Sequence, residues 1–299
     1  MGKQLTEEKI EGLVSHIISS LAPCSYTSVM HALRAELAGF NLSEERFKKI
    51  KRMVFKRLYK LPFKWQCQNS KPPVYSPVSN PSPYELTGAF GENAYSCYFS
   101  ALYPNELTKQ LPSTFYIALP KKSKDRKSVS SYEEMDFDKV RDVFMKKPRE
   151  STLAFRFGAA QFVLVERDDI HSIGVIKKEV LQDGNMMTCK MTDTEGTLID
   201  CSIAPHRAGG ISAVIEAYKL ANDRLDIGKL FSHYSSQHFV YPYWQRIGFL
   251  LETAGLKELA DKWDILHKGK KQFFLMHGYR ASWKYNDRWK LYFPPALNP

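Results

Sequence analysis

A stretch of 22 residues, SEERFKKIKRMVFKRLYKLPFK at 43–64, constrains the fold more than any other part of the chain. Phe47, Ile50, Val54 and Leu58 recur at helical spacing and form an apolar stripe that a core must cover. Lys49, Arg52, Lys56 and Lys60 form a second stripe displaced around the same helix. The stretch holds nine basic residues (Arg46, Lys48, Lys49, Lys51, Arg52, Lys56, Arg57, Lys60 and Lys64) and two acidic ones, Glu44 and Glu45. Its net charge is therefore +7, where the whole chain carries +11. Ser43 is placed to cap the helix, Glu44 and Glu45 suit the positive end of its dipole, and Pro62 is expected to end it. A helix with one face in a core and a row of cations on another is built to meet a polyanion.

Two amphipathic segments precede it. One spans roughly 6–21, with Ile10, Leu13, Val14, Ile17, Ile18 and Leu21 on one side. The other spans roughly 26–37, with Val29, Met30, Leu33 and Leu37 apolar and Ser25 as its cap. AGFNLS, with Gly39 and Asn41, makes a short turn into the basic helix. KWQCQ and VYSPV follow as strand-like pieces around the turn NSKPP, so a hairpin carrying Lys64 and Lys71 is expected. Three helices and a hairpin in this order predict a winged helix–turn–helix, whose last helix enters the major groove while the hairpin touches the backbone. The candidate DNA-binding residues are Arg46, Lys48, Lys49, Arg52, Lys56, Arg57, Lys60, Lys64 and Lys71.

SPVSNPSPYEL at 76–86 is rich in Pro and Ser and reads as a linker between a domain at 1–80 and a second at 84–299. TFYIALP (114–120), TLAFRF (152–157) and AQFVLVE (160–166) read as strands, and IGVIKK and NMMTCKM add two more. KKSKDRK at 121–127 is a second basic cluster, in an expected loop. From about 209 the pattern turns helical, and RWKLYFP closes the chain with a strand. The expected fold class is α/β (α+β): a winged helix–turn–helix, then a mixed α/β domain with a helical C-terminal part.

The five cysteines are odd in number and far apart, and none makes a CxxC pair or has zinc-ligand spacing. They read as reduced thiols of a cytoplasmic protein, with no metal or cofactor expected. No apolar run approaches the ~20 residues of a membrane helix, and the polar start MGKQLTEEKIEG is unlike a signal peptide.

Chemistry-bearing groups are sparse. Asp193, Glu195 and Asp200 could hold a metal for acid–base work, yet their spacing is loose and suits a helix start better. Asp193 and Glu195 are expected to cap that helix, and Asp200 to pair with a cation such as Arg224. Glu166–Asp169 reads as a solvated turn. Gly209–Gly210 lacks a phosphate-loop framework and is expected to open a helix at a tight turn. His206 beside Arg207 could meet an anion, though a structural role is the simpler reading, and the aromatic run YPYWQR at 241–246 reads as core.

Several segments resemble one family. YSCYFSALYPNELTKQLPSTFYIALPKKSK (95–124), through Ser100, Ala101, Leu102, Pro112, the 114–119 strand and Lys121–Lys124, resembles the start of the antitoxin domain of AbiEi-type antitoxins. The stretch 191–235 resembles the next part of that domain through Asp193, Glu195, Thr197, Leu198, Asp200, Pro205, Gly209, Gly210, Arg224, Leu225 and Asp226. RIGFLLETAGL (246–256) is similar to the helix that follows, and Asn286, Arg288 and Trp289 to a C-terminal strand segment. Gly196 stands where the family usually has Arg. The resemblance covers about 95–293 and implies the antitoxin of a type IV abortive-infection toxin–antitoxin system. Such a protein would bind inverted repeats in promoter double-stranded DNA, repress its own operon and neutralise a nucleotidyltransferase-like toxin. It would not be an enzyme. A stand-alone transcriptional regulator of a mobile or defence element is the alternative, and a metal-dependent nucleic-acid enzyme a further one.

Overall fold

The computed structural model describes residues 6–66, 72–120, 136–167, 173–182, 184–237, 239–267 and 269–297. The protein is a mixed α/β fold. Its N-terminal part holds α1 (Glu7–Ser20), β1 (Cys24–Ser25), α2 (Tyr26–Leu37), α3 (Glu44–Arg57), β2 (Tyr59–Lys60), β3 (Lys64–Trp65) and β4 (Val74–Ser76). Each helix starts on a hydroxyl that accepts a backbone N–H: Thr6 from Lys9, Ser25 from Ser28 and Ser43 from Arg46. Ile10, Val14, Ile17, Val29, Leu33, Leu37, Ile50, Val54 and Leu58 close over one another as a separate small core. The amphipathic stripes therefore do what their spacing requires, and the caps at Ser25 and Ser43 are as expected.

The third helix ends earlier than expected. Leu58 is already extended, and Tyr59–Lys60 form a strand, so Lys60 lies on β2 and not on the helix. Pro62 comes after that strand and does not end the helix. The small sheet has the order β1-β4-β2, with Tyr59 opposite Ser76 and Cys24 opposite Tyr75. Tyr75 of β4 meets Phe55 of α3 at 5.0 Å, and Phe55 stacks on Tyr26 of α2 at 5.1 Å. This aromatic trio fixes the small sheet against the helices.

The expected hairpin between KWQCQ and VYSPV is not formed. Lys64–Trp65 instead pairs with Ala154–Phe157 of the large sheet, with Lys64 opposite Arg156 and Trp65 opposite Phe155. The reason is aromatic burial. Phe63 stacks on Phe155 at 4.4 Å and Trp65 meets the same ring at 4.7 Å, with Phe90 and Phe157 completing the cluster. Two large rings gain more against this sheet than in a solvated wing. Lys71 lies outside the described residues.

The rest of the chain builds β5 (Tyr95–Cys97), α4 (Phe99–Leu102), β6 (Thr114–Pro120), α5 (Phe137–Met145), β7 (Ala154–Phe157) and β8 (Ala160–Arg167). Next come β9 (Val175–Gln182), β10 (Asn185–Thr192), α6 (Thr194–Ile203), α7 (Ile211–Ala221), α8 (Ile227–Ser236), α9 (Tyr243–Thr253) and α10 (Lys257–Ile265). The chain closes with β11 (Phe273–Phe274), β12 (Lys284–Asn286) and β13 (Leu291–Phe293). The large sheet runs β3-β7-β8-β6-β5-β10-β9, with β6/β8 and β5/β10 parallel; β11-β13-β12 form a small third sheet. Alternation assigns the two faces of the large sheet. Phe115, Ile117, Phe155, Phe157, Phe162, Leu164 and Met191 face one side, and Ala118, Ala154, Val163 and Val165 the other.

The first of these faces is covered partly by the stretch expected to be a linker. Tyr84 and Leu86 are buried there, with Leu61 and Val74 from the preceding segment, and Ser76 is buried too. The ends of 76–86 are thus anchored in the core, at Ser76 and from Pro81 to Leu86, because Tyr84 and Leu86 lie over the sheet face, while Val78, Ser79 and Asn80 between them are exposed. The helices α6–α10 gather around a second core that includes Trp244, Ile247, Phe249, Leu250, Trp263 and Trp289. The aromatic run at 241–246 belongs to that core, as expected. Among the described residues no helix is long and apolar enough to cross a membrane.

Candidate nucleic-acid interface

The cations of 43–64 fall into distinct environments. Lys49 and Arg57 turn toward α1: Lys49 Nζ lies 2.7 Å from Glu7 Oε1, and Arg57 pairs with Glu11. Lys48 pairs with Glu44 one turn earlier at 2.8 Å. Lys51 sits over the Tyr26 ring at 5.5 Å. Arg46, Arg52 and Lys56 are exposed on α3 with no carboxylate in ion-pair reach among the described residues, and Lys60 on β2 likewise. Lys64 is exposed on β3, at the edge of the large sheet, and not on a hairpin of the small one. The side of α3 opposite Ile50 and Val54 thus presents Lys48, Arg52 and Lys56 to solvent.

The segment from Asp193 to Asp226 forms a joint between β10 and the helices. Asp193 caps α6, its Oδ1 accepting from Gly196 N at 2.8 Å. Its Oδ2 lies 2.9 Å from His233 Nε2 and 3.0 Å from Lys229 Nζ, both on α8. Lys229 also reaches Glu195 Oε2 at 2.8 Å, and Glu195 Oε1 accepts from Asp226 N at 3.2 Å. Asp226 in turn caps α8 through Gly228 N and Lys229 N. Burial alone would push the Asp193 carboxyl up, but hydrogen bonds from His233, Gly196 and Lys229 outweigh it and hold it below the ordinary range. Gly174 closes over this group at φ 70°; a Cβ there would sit 2.9 Å from Asp193 Oδ1 and from His233. Gly196 also lies close to this group: a Cβ there would sit 3.1 Å from Asp193 Oδ1.

Thr197 is buried and receives a hydrogen bond from Asn105 Nδ2 at 3.0 Å, while the same amide also donates to Thr192 O. Asp200 pairs with Arg167 at 2.6 Å, not with Arg224. Arg224 instead holds the turn after α4, donating to Asn105 O, Glu106 O and Glu106 Oε2. The geometry explains the exchange: Arg167 ends β8 with its side chain 12% exposed, against an Asp200 that is 2% exposed. Segment 166–169 is therefore not a solvated turn at Arg167; Asp168 and Asp169 lie outside the described residues. Gly209 and Gly210, at φ 82° and 95°, make the tight turn that opens α7. Each of Asp193, Glu195 and Asp200 thus has a cationic partner, and no cluster of potential metal ligands occurs among the described residues.

The fold has a counterpart among solved structures. The crystal structure of the RV2827C protein from Mycobacterium tuberculosis is similar at a TM-score of 0.51 and 11% identity, covering 97% of this chain and 93% of that one. At this identity the likeness concerns the fold alone. No family model matches the chain, and no curated protein matches its sequence.

Sequence reasoning missed Lys229, Asn105 and Arg167 as partners of the joint. Lys229 and His233 carried a usable signal: they are four residues apart and so share one face of α8. Asn105 and Arg167 come from elements distant in sequence and carried none.

Proposed function

We propose that the protein is a DNA-binding antitoxin. In this reading α3 and the small sheet form a winged helix–turn–helix that binds promoter inverted repeats and represses the protein's own operon. The larger unit counters a nucleotidyltransferase-like toxin, and the protein catalyses no reaction. The observation that carries the DNA half is the outward row on α3, where Arg52 and Lys56 have no carboxylate partner among the described residues. A cation left free of local pairing can exchange its counterions for phosphates with little opposing energy. The antitoxin half rests on the sequence resemblance over 95–293. The paired state of Asp193, Glu195 and Asp200 supports a structural role for the motif over the metal-enzyme alternative.

The paired and unpaired cations make different contributions. Arg52→Ala with Lys56→Ala is expected to weaken promoter binding and to flatten the log–log salt dependence by ~0.9 for each phosphate that is no longer neutralised. Lys49→Ala with Arg57→Ala removes the same charge from the flank of the helix that faces α1, and is expected to change affinity less. Gel-shift titrations across salt concentrations compare the two. Equal losses of affinity in both double variants would take the outward face of α3 out of the interface. Co-expression with a toxin encoded beside it tests the other half, and growth arrest unrelieved by this protein would remove the antitoxin assignment.

A further inference from the structure

One edge of the large sheet is open. β10 pairs with one side of β9, and no described strand pairs with the other. The register shows which backbone groups this leaves over. Asp193 N donates to Gly174 O at 2.7 Å, and these two residues continue the ladder in which Thr192 stands opposite Val175. Antiparallel ladders alternate hydrogen-bonded and non-hydrogen-bonded pairs, so the even-numbered residues of β9 bond to β10. The N–H and C=O groups of Val175, Lys177, Glu179 and Leu181 therefore point away from the sheet. An open edge of eight residues is a template for a further strand.

The side chains restrict which strand fits. Val175, Lys177, Glu179 and Leu181 share one face by alternation. Lys177 and Glu179 are exposed, with no ion-pair partner among the described residues. Lys177 stands opposite Lys190 of β10, a like charge, and Lys190 itself donates to the Glu92 carbonyl. Leu181 stands opposite Met186, and the two are 59% and 62% exposed. A cation, a carboxylate and an apolar pair thus lie along one open edge.

We propose that β9 pairs antiparallel with β9 of a second copy of this chain, about a two-fold axis normal to the sheet and centred on Lys178. Such an axis keeps each face on its own side, so residues of one face stand opposite one another. Lys177 then meets the partner's Glu179, and Glu179 the partner's Lys177. Val175 meets the partner's Leu181, which carries the Leu181–Met186 apolar row across the interface. On the other face Ile176, 39% exposed, meets the partner's Val180. The outward backbone groups of the four odd-numbered residues all find outward groups of the partner. Shifting the axis by one residue loses this match: centred on Lys177 it sets Lys against Lys, and centred on Glu179 it sets Glu against Glu. Like charges directly opposite are destabilising. Lys178, at the proposed axis, is drawn back into its own chain, with Nζ 3.2 Å from Asn105 Oδ1. Lysines alone would guard the edge against any strand; Glu179, two residues from Lys177, makes it complementary to itself. The dimer stands independently of the DNA-binding reading. If both hold, it supplies two copies of α3 for the two halves of an inverted repeat.

The test is sedimentation velocity of the full chain across concentrations. One strand pair is a small interface, so a reversible, concentration-dependent dimer is expected. Hydrogen exchange should slow on dimerisation at the amides of Val175, Lys177, Glu179 and Leu181. Lys177→Glu alone and Glu179→Lys alone set like charges opposite one another, and each should raise the dimer Kd roughly 10-fold or more. Mixing these two variants should give a heterodimer, because every Glu of one then faces a Lys of the other. The double substitution Lys177→Glu with Glu179→Lys should dimerise like the native chain. Both positions are exposed, so all these variants should keep the native Tm. A chain that stays monomeric at every concentration would overturn the proposal and leave the edge to solvent or to a different strand. So would a dimer indifferent to both single substitutions, or one whose protected amides lie outside β9.

Discussion

Leu198 sits where β10 hands the chain to α6 and is fully buried. Leu198→Ala leaves a cavity that the surrounding helices cannot fill, and is expected to cost ~2–5 kcal/mol and to lower Tm. Denaturant unfolding measures it, and a loss of stability well below this range would mean that the joint relaxes around the missing side chain. Asp193, five residues earlier, supplies a pH dependence. Its folded pKa is below the ordinary 3.8, so its contribution to stability is present above that value and is lost as pH falls through the folded value. Asp193→Asn should therefore be less stable than the native protein at neutral pH, and the gap should close in acid. A gap that stays constant well below pH 3.8 would show that the carboxylate's charge is not what holds α8 to the joint.

At the scale of elements, a tight approach lies between α9 and the segment before β13. A Cβ on Gly248 would overlap the six-membered ring of Trp289, and that Trp is fully buried. The indole is held from the other side as well, since its Nε1 donates to Glu252 and its backbone N donates to Asn286 Oδ1. Gly248→Ala improves helix propensity by about 1 kcal/mol, yet it must displace a ring that has no free space. The expected net effect is destabilisation by ~1–3 kcal/mol, read as a lower Tm. A neutral or stabilising result would mean that α9 can slide relative to the C-terminal sheet. The same logic of close packing explains α3. Its inner face is fixed by Ile50, Val54 and the Phe55 ring, so Arg52 and Lys56, which have no carboxylate partner among the described residues, are on the side the packing turns outward.

The whole molecule is less divisible than its composition suggests. The chain leaves the small sheet after Lys60, lays Leu61, Phe63 and Trp65 on the large sheet, and returns to the small sheet at Val74. A cut at 84 would remove an edge strand and an aromatic layer from the larger unit. A fragment of 61–299 is therefore expected to melt at a higher temperature than one of 84–299, which should expose apolar surface and bind a hydrophobic dye. Limited proteolysis of the full chain should spare 81–90, where Tyr84, Leu86 and Ala89 are buried. Equal melting temperatures of the two fragments would mean that the β3 strand and its rings contribute nothing to the larger unit.

What the sequence determined by itself is local. The stripe Phe47, Ile50, Val54 and Leu58 required a covered helix, Ser25, Ser43 and Asp193 announced helix starts, and the runs TFYIALP and AQFVLVE required strands. The physical reason is that caps and periodicity act over a few residues, so a short window contains the whole cause. The tertiary structure alone decided which distant groups meet. Lys64–Trp65 could equally have been one arm of a hairpin, and it is the Phe155 ring, some 90 residues away in sequence, that draws it to the large sheet. The sequence offered Arg224 as a partner for Asp200, and the register that ends β8 at Arg167 put that arginine there instead. Lys49 and Lys56 are the same residue type on the same helix, and the position of Glu7 on α1 pairs one and leaves the other facing outward. Such choices depend on distances across the fold, which no local pattern encodes.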